Sequence, residues 1–457
     1  MDLQNKKVTV MGLGLLGGGL GATKWLARQG ADVLVTDLKD KEELKPSLKE
    51  LEGLDLKYVL GEHRSQDFKN KDLIVKSPAV EDDSKFLKIA RKNNIPIETE
   101  LSLFFKNCPC PIIGITGTKG KSTVTTLTHK LLEQDYNTIL GGNIKTETLP
   151  KLKELDEESL AVLELSSWQL SSLEKDQISP HSAIITNIKE DHLNRYETFD
   201  DYVNDKSVIY KFQQPEDHLL LNQQDPVSSE FGDSATAQVY CYNLKEKTEQ
   251  NRGATIKENS IMFQGEEICS KKDIKIPGKH NLENVMAAVT MAKIYGVGNR
   301  TIKKVISNFK GLKHRLELTE KGKVDFYNDS CATNPTAAKA AINSFDQKVV
   351  LIAGGAKKDL DFEELSETIA KQVKALILLE GEATPRLKKK VKEALDNNNK
   401  RIPINQTENM EGAVRAASKL ASPEGIVLLS PACASFGQFK NEFDRGNKFK
   451  EAVKNLQ

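Results

Sequence analysis

Short apolar runs alternate with amphipathic stretches from one end of the chain to the other. In the first third, Val8–Met11, Val33–Thr36, Tyr58–Leu60 and Leu73–Val75 read as buried strands. Each is followed by a polar, lysine-rich segment of helical length. A second series opens at Ile112, with strands Ile112–Ile115, Ala161–Leu165 and Ala183–Ile188 and a helix over Ser122–Gln134. A third follows His314, with strands Val324–Tyr327, Val349–Ala353, Ala375–Leu379 and Ile426–Leu429. Strand–helix alternation of this kind builds parallel sheets covered by helices. Breaks near the Pro/Cys run at 107–111 and near Gly311 divide the chain into 1–107, 108–312 and 313–457. Residues 223–273 are polar and irregular, and no motif is placed there.

Bulk properties narrow the class without choosing the chemistry. A chain of 457 residues exceeds one ordinary core, and about two to four domains are expected. Hydrophobic content of 38% and charged content of 29% are those of a soluble globular protein. A net charge of +1 gives no support to a nucleic-acid or membrane-surface role. The six cysteines are scattered apart from Cys108 and Cys110, and Cys-Pro-Cys lacks the spacing of a zinc site. A reducing compartment is the better reading. The glycine-broken apolar run Val8–Ala22 is not a signal peptide, and no stretch reaches the about 20 apolar residues of a membrane helix. A cytoplasmic protein is expected.

Two glycine loops carry the first chemical signals. Gly114-Ile-Thr-Gly-Thr-Lys-Gly-Lys-Ser-Thr123 follows an apolar strand and precedes a helix, the context of a phosphate loop. Its glycines, Gly117 and Gly120 among them, let backbone N–H groups turn onto phosphate oxygens, and the helix N-terminus adds partial positive charge. Lys121 would reach the β- and γ-phosphates and Ser122 would bind Mg²⁺. It is not a strict Walker A, since Ile115 occupies the expected first glycine position. Gly12-Leu-Gly-Leu-Leu-Gly17 with Asp37 matches the dinucleotide fingerprint, and alone it predicts NAD; physically it says that a nucleotide diphosphate could rest there.

Other polar groups sit where strands end. Glu164 closes the strand Ala161–Leu165, and a carboxylate there points into the ligand crevice of such a sheet. Beside a phosphate loop it suits Mg²⁺, though a strand-end Glu read alone is more often a solvated rim residue. Asp191-His192 ends the next strand, either as part of a metal shell or as a surface pair. Lys206 shares a face with Tyr202, Val203, Ile209 and Tyr210 on a helix over Phe199–Phe212. Such a lysine usually snorkels; held neutral by burial it would be nucleophilic. Later come Gly278-Lys-His-Asn281-Leu-Glu-Asn284, Gly311-Leu-Lys-His-Arg315-Leu-Glu317, Asn328-Asp329-Ser-Cys-Ala-Thr333-Asn-Pro, Gly354-Gly-Ala-Lys-Lys358 and Ser430-Pro-Ala-Cys-Ala-Ser435-Phe. Each alone could be a well-capped loop; five behind one phosphate loop argue for a site.

In this order, from the first glycine loop to Arg445-Gly446, these residues resemble the Mur ligase family. The phosphate loop is common to that family and to folylpolyglutamate synthetases. His-Arg-Leu-Glu, Asn-Asp-Ser-x-Ala-Thr-Asn-Pro and Ser-Pro-Ala-Cys-Ala-Ser-Phe point to the branch that adds D-glutamate to UDP-N-acetylmuramoyl-L-alanine in peptidoglycan synthesis. The resemblance implies an α/β fold of three domains: Rossmann-like and UDP-binding, P-loop ATPase-like, then Rossmann-like and amino-acid-binding. It implies that Gly14, Leu15 and Asp37 meet the UDP group in place of NAD, while Asn143, Ser166 and Gln169 hold the muramoyl part. ATP would be met by Gly117, Thr118, Gly120, Lys121, Ser122, Thr123, Asn281, Asn284, Arg315 and Asp329. Two Mg²⁺ ions are implied, one on Ser122 and Glu164, the other on His192 and a carbamylated Lys206. D-Glutamate would be met by Thr333, Lys358 and Ser435. Lys121, Glu164, His192 and Lys206 form the expected catalytic set, closure of the third domain would exclude water, and a monomer is expected.

Three departures stand against the family pattern: Cys331 for a usual lysine, Ala79 for a glycine after Ser77-Pro78, and Lys119 for an asparagine in the phosphate loop. The segment Asn441-Glu-Phe-Asp-Arg-Gly is also shuffled. The rivals are a family member using another amino acid, an NAD-dependent oxidoreductase, which leaves the phosphate loop without a role, and a nucleotide-switch binding protein, which leaves the late motifs without one.

Overall fold

Strands that are apolar on both faces need covering on both faces, and the chain meets this with three sheets flanked by helices. The structure is a computed structural model, and it describes residues 1–457 except 16, 145–146, 191–195, 245–251, 357–359 and 457. Two compact units emerge. One comprises Met1–Ser270 with Glu283–Val305, the other Lys271–Leu282 with Ile306–Gln457.

The first unit holds two parallel sheets. Strands β1 (Lys7–Met11), β2 (Asp32–Asp37), β3 (Leu56–Leu60), β4 (Leu73–Lys76) and β5 (Ile97–Thr99) assemble in the order β3-β2-β1-β4-β5. Strands β6 (Ile112–Thr116), β7 (Thr138–Gly142), β8 (Leu160–Glu164), β9 (Ser182–Ile185), β10 (His218–Asn222) and β11 (Gln238–Tyr242) follow in the order β11-β10-β9-β6-β8-β7. In β6 and β8 every residue is buried, as the continuous apolar runs required. One apolar cluster runs from Leu3 through both sheets to Ala237.

In each sheet the strand order reverses beside the strand that feeds a glycine loop, β1 in the first and β6 in the second. A crevice for ligands opens at such a switch point. The region 223–273, unread in sequence, supplies β11 and an antiparallel three-stranded sheet of β12 (Thr255–Lys257), β13 (Ser260–Phe263) and β14 (Glu266–Ser270).

The second unit carries β15 (Glu317–Glu320), β16 (Val324–Asn328), β17 (Val349–Ala353), β18 (Val373–Leu379), β19 (Ile404–Thr407) and β20 (Gly425–Leu429), ordered β15-β16-β20-β17-β18-β19. All pairs are parallel except β15 with β16, so the sheet is mixed. Apolar clusters cover both of its faces. Among the described residues no helix is long and apolar enough to cross a membrane.

Candidate active site

The C-terminal ends of β8, β6 and β9 lie side by side, with Ile115 paired to Glu164 and Thr116 to Ile185. That register brings together the phosphate loop, the strand-end carboxylate and the Thr186–Asn187 turn. The loop bends because two glycines adopt positive φ, 140° at Gly117 and 90° at Gly120. A Cβ on Gly117 would fall 2.0 Å from Thr186 Oγ1, and one on Gly120 2.4 Å from Asn284 Oδ1. Glycine is therefore needed both for conformation and for close approach.

The loop is clamped from β9. Thr118 N donates to Asn187 O at 2.7 Å and Lys119 N to Asn187 Oδ1 at 3.0 Å. Thr186 Oγ1 and Asn187 Nδ2 both donate to Lys119 O. The main chain of Lys119 does this work while its side chain is exposed, so a lysine fits there. Ala79 is likewise exposed and lies outside the positive-φ residues, so glycine is not required.

Lys121 opens the helix Lys121–Leu132, one residue earlier than the sequence predicted. Its Nζ turns back to Gly117 O at 2.8 Å and Thr118 O at 3.2 Å. Ser122 and Thr123 share this first turn. Lys206 is buried on the helix Phe199–Lys211, with Nζ 3.3 Å from Gly117 O, 3.4 Å from Thr116 Oγ1 and 4.6 Å from the Tyr202 ring centroid. Tyr202 Oη in turn reaches Thr118 Oγ1 at 3.0 Å. Thus Lys121 and Lys206 converge on one carbonyl of the phosphate loop.

Glu164 is not a rim residue: its side chain is 3% exposed. Oε1 accepts from Asn143 Nδ2 at 3.0 Å, and Asn143 N donates to Glu164 O at 2.8 Å. Oε2 is buried and has no hydrogen-bond partner among the described residues. A buried carboxylate oxygen without a donor is costly unless something positive completes it, and a hard divalent cation is such a group. Among the described residues no three His, Cys, Asp or Glu side chains cluster as a metal cage. Mg²⁺ commonly takes one or two carboxylates and fills its shell with water and phosphate oxygens. The residues present fit that mode. His192 lies outside the described residues.

Ser166 and Gln169 have a structural duty that the sequence reading did not assign. They form the capping box of the helix Ser167–Glu174, Ser166 N donating to Gln169 Oε1 at 3.0 Å and Gln169 N to Ser166 Oγ at 3.3 Å. Gln169 also lines a cavity of about 580 Å³ with Pro78, Glu100, Trp168, Tyr196 and Asp205. Burial pushes the Asp205 carboxyl up, against a hydrogen bond from Tyr196.

On the first loop Gly12, Gly14 and Gly17 all have positive φ. Asp37 shapes this loop, its Oδ2 accepting from Gly14 N at 3.0 Å and its Oδ1 from Lys39 N at 2.9 Å. Leu15 is 43% exposed at the tip.

In the second unit the predicted residues again gather at strand ends. Asp329 follows β16 and is buried; Leu316 N donates to Oδ1 at 3.2 Å and Ser430 Oγ to Oδ2 at 2.9 Å. Burial pushes its pKa up to about 7, opposed by those two hydrogen bonds and by the Arg315 charge. Arg315 is exposed, Thr333 N donates to Cys331 O at 3.0 Å, and Ser435 is buried after β20. Asn281 Nδ2 donates to Pro277 O at 2.6 Å. Lys358 lies outside the described residues.

Sequence reasoning named Arg445 only as the end of the family resemblance and gave it no role. Its fully buried guanidinium donates to Ser330 Oγ and O and to the carbonyls of Cys433 and Ala434, joining the loops after β16 and β20. Burial lowers its pKa to about 10. No local pattern distinguishes it from a surface arginine.

Comparison with known proteins matches three family models in turn along the chain. Residues 6–99 match the Mur ligase MurD-like N-terminal domain, 115–292 the Mur ligase middle domain, and 314–433 the Mur ligase glutamate ligase domain. A UDP-N-acetylmuramoylalanine–D-glutamate ligase from Roseiflexus sp. (strain RS-1) is 40% identical over 473 residues, covering 100% of both chains. One from Acetivibrio thermocellus is 39% identical over 463 residues, covering 100% of this chain and 97% of the relative. The structure of a pseudomurein peptide ligase type C from Methanothermus fervidus shares the fold at TM-score 0.58 and 19% identity, over 99% of this chain and 100% of that one. With full-length relatives at this identity, and with three Mur ligase domain models matched along it, the chain belongs to the Mur ligase family.

Proposed function

We propose that this chain joins D-glutamate to UDP-N-acetylmuramoyl-L-alanine with hydrolysis of ATP, as a cytoplasmic, monomeric enzyme of peptidoglycan biosynthesis. Supporting the reading are the 40% identity to a D-glutamate ligase over the whole chain and the buried Glu164 Oε2 beside the phosphate loop. The second observation carries the chemistry, because it offers a cation a place next to where a γ-phosphate would lie. Domains 1–107, 108–312 and 313–457 would take UDP, ATP and D-glutamate respectively.

A carboxylate is a poor acyl donor, since oxide is a poor leaving group. In the proposed sequence the L-alanine carboxylate takes the γ-phosphoryl group, and the D-glutamate amine then displaces phosphate from the acyl phosphate. Lys121 leaves its loop carbonyls and neutralises charge on the phosphoryl oxygens. Ser122 and Glu164 would hold one Mg²⁺, which supplies further neutralisation of the phosphates; Asn143 orients Glu164.

Lys206, buried beside the loop, would be carbamylated and with His192 hold a second ion. Gly14, Leu15 and Asp37 bind UDP, and Asn143, Ser166 and Gln169 the muramoyl group. Gly117, Thr118, Gly120, Thr123, Asn281, Asn284, Arg315 and Asp329 contact ATP, and Thr333, Lys358 and Ser435 meet D-glutamate.

The test is ADP release with UDP-N-acetylmuramoyl-L-alanine across a panel of D- and L-amino acids. D-Glutamate alone should support turnover; preference for another amino acid refutes the substrate assignment. Lys121→Ala or Glu164→Ala should abolish turnover. Lys206→Ala should lose most of it and regain part with short-chain carboxylic acids.

A further inference from the structure

Cys108 and Cys110 have no part in ligation, yet they occupy the joint between the two sheets of the first unit. Only Pro109 separates them, between the helix Glu100–Asn107 and β6. Their sulfurs lie 3.6 Å apart. Each is anchored from its own side. Cys108 N donates to Phe104 O at 2.8 Å, closing the helix. Cys110 is packed in the core, and the next carbonyl, Pro111 O, accepts from Ala161 N of β8 at 3.1 Å.

Proline at 109 confines Cys108 to the extended region, where it is found, with φ −71° and ψ 123°. The contact is therefore set by the two flanking elements. Cys108 is half-buried at the edge of the core and Cys110 buried, so Cys108 is the more accessible of the two residues. That is the disposition of an attacking and a resolving thiol.

We propose that Cys108 and Cys110 form a reversible dithiol–disulfide site, oxidised by small-molecule disulfides, whose closure stiffens the joint and slows turnover. Cys108 gives up its proton and its thiolate attacks one sulfur of the disulfide, releasing one thiolate. Cys110 then loses its proton and its sulfur attacks Cys108 Sγ, displacing the second thiolate. The two protein protons end on the two released thiols, so two cysteines are oxidised and one external disulfide is reduced. The Cys108 thiol is shifted down by its hydrogen bond with Cys110, the same contact that shifts Cys110 up.

Ring closure takes the sulfurs from 3.6 Å to about 2.05 Å, drawing the helix end toward the root of β6. That helix begins at Glu100 and Leu101, which line the cavity shared with Gln169, and β6 leads directly into the phosphate loop. A shift at the joint thus reaches both.

The experiment treats the full-length reduced protein with oxidised glutathione, quenches with acid, alkylates and digests with trypsin. Peptide 107–119 holds both cysteines and none of the other four. The expected product is this peptide unalkylated and two hydrogens lighter, with slower amide exchange over residues 101–112 and a several-fold drop in ADP release. Dithiothreitol should reverse all three, and Cys108→Ser should show none. Cys110→Ala removes a core side chain, so Cys108→Ser, at the half-buried position, is the controlling variant. Recovery of two alkylated cysteines, a persistent glutathione adduct, or a closed ring with unchanged exchange overturns the proposal. Mass and exchange are read without reference to D-glutamate, so failure of the ligase reading is distinguishable.

Discussion

Replacing Asp329 with asparagine isolates the energetic effect of one buried carboxylate. Its pKa rises from 3.8 to about 7, mainly through burial. At about 1.36 kcal/mol per unit, that displacement corresponds to about 4 kcal/mol. Below pH 3.8 the acid is protonated whether the chain is folded or not. Between that value and about 7 the unfolded chain ionises while the folded one keeps its proton. Stability is therefore full at low pH and is lost as pH rises through about 7.

Asparagine mimics the protonated acid. Its carbonyl can accept from Leu316 N and its NH₂ can donate to Ser430 Oγ. The Asp329→Asn protein should match the parent near pH 4 and exceed it by up to about 4 kcal/mol above pH 7. Hydrogen exchange of the β16 amides, compared between the two proteins at matched pH and without nucleotide, reads this directly. A gap that does not change with pH, or a variant less stable than the parent in alkali, would refute the reasoning.

Asn143→Leu removes the donor to Glu164 Oε1 and should raise the Mg²⁺ concentration needed for half-maximal ADP release about 10–100-fold, with excess Mg²⁺ restoring the rate. Gly120→Ala places a methyl 2.4 Å from Asn284 Oδ1 at φ 90°. Backbone strain alone costs about 1–2 kcal/mol, so ATP affinity by calorimetry should fall about tenfold or more, and an unchanged Kd would contradict the cradle geometry. Ser166→Ala deletes a helix cap and should cost about 1 kcal/mol of stability in thermal unfolding, separable from any change in KM for the UDP substrate.

Legibility in the sequence followed the physics of burial. Val349–Ala353 is predicted and observed over the same residues, because a short, β-branched-rich apolar run stopped by Gly354-Gly355 suits a strand covered on both faces. Thr138–Gly142 and Ile97–Thr99 went unread because their polar and glycine content hides them; only pairing with β8 and β4 makes them strands. The hairpin of β13 and β14 had a usable local signal in the Gln264-Gly265 dipeptide, whose two residues both take positive φ in the structure.

At the site, Glu164 and Lys121 were visible from strand–loop–helix context. The support they receive was not: Asn143, Thr186 and Asn284 approach from distant segments, and no spacing rule reports that. The predicted strand over Ala183–Ile188 ends at Ile185, because Thr186 and Asn187 leave the ladder to hold the phosphate loop.

The folded-back Lys121 has a consequence for nucleotide choice. Its ammonium already has two carbonyl acceptors on its own loop, so an arriving anion must outcompete them. Bonds to a charged group are worth about 1.5–3 kcal/mol each. A lone inorganic phosphate, with few other contacts to offer, makes a poor exchange, whereas a triphosphate brings adjoining oxygens for the rest of the loop. With Lys121 in the phosphate-binding role proposed above, the lysine would act as a threshold, discouraging occupancy by abundant small anions while yielding to the polyphosphate chain.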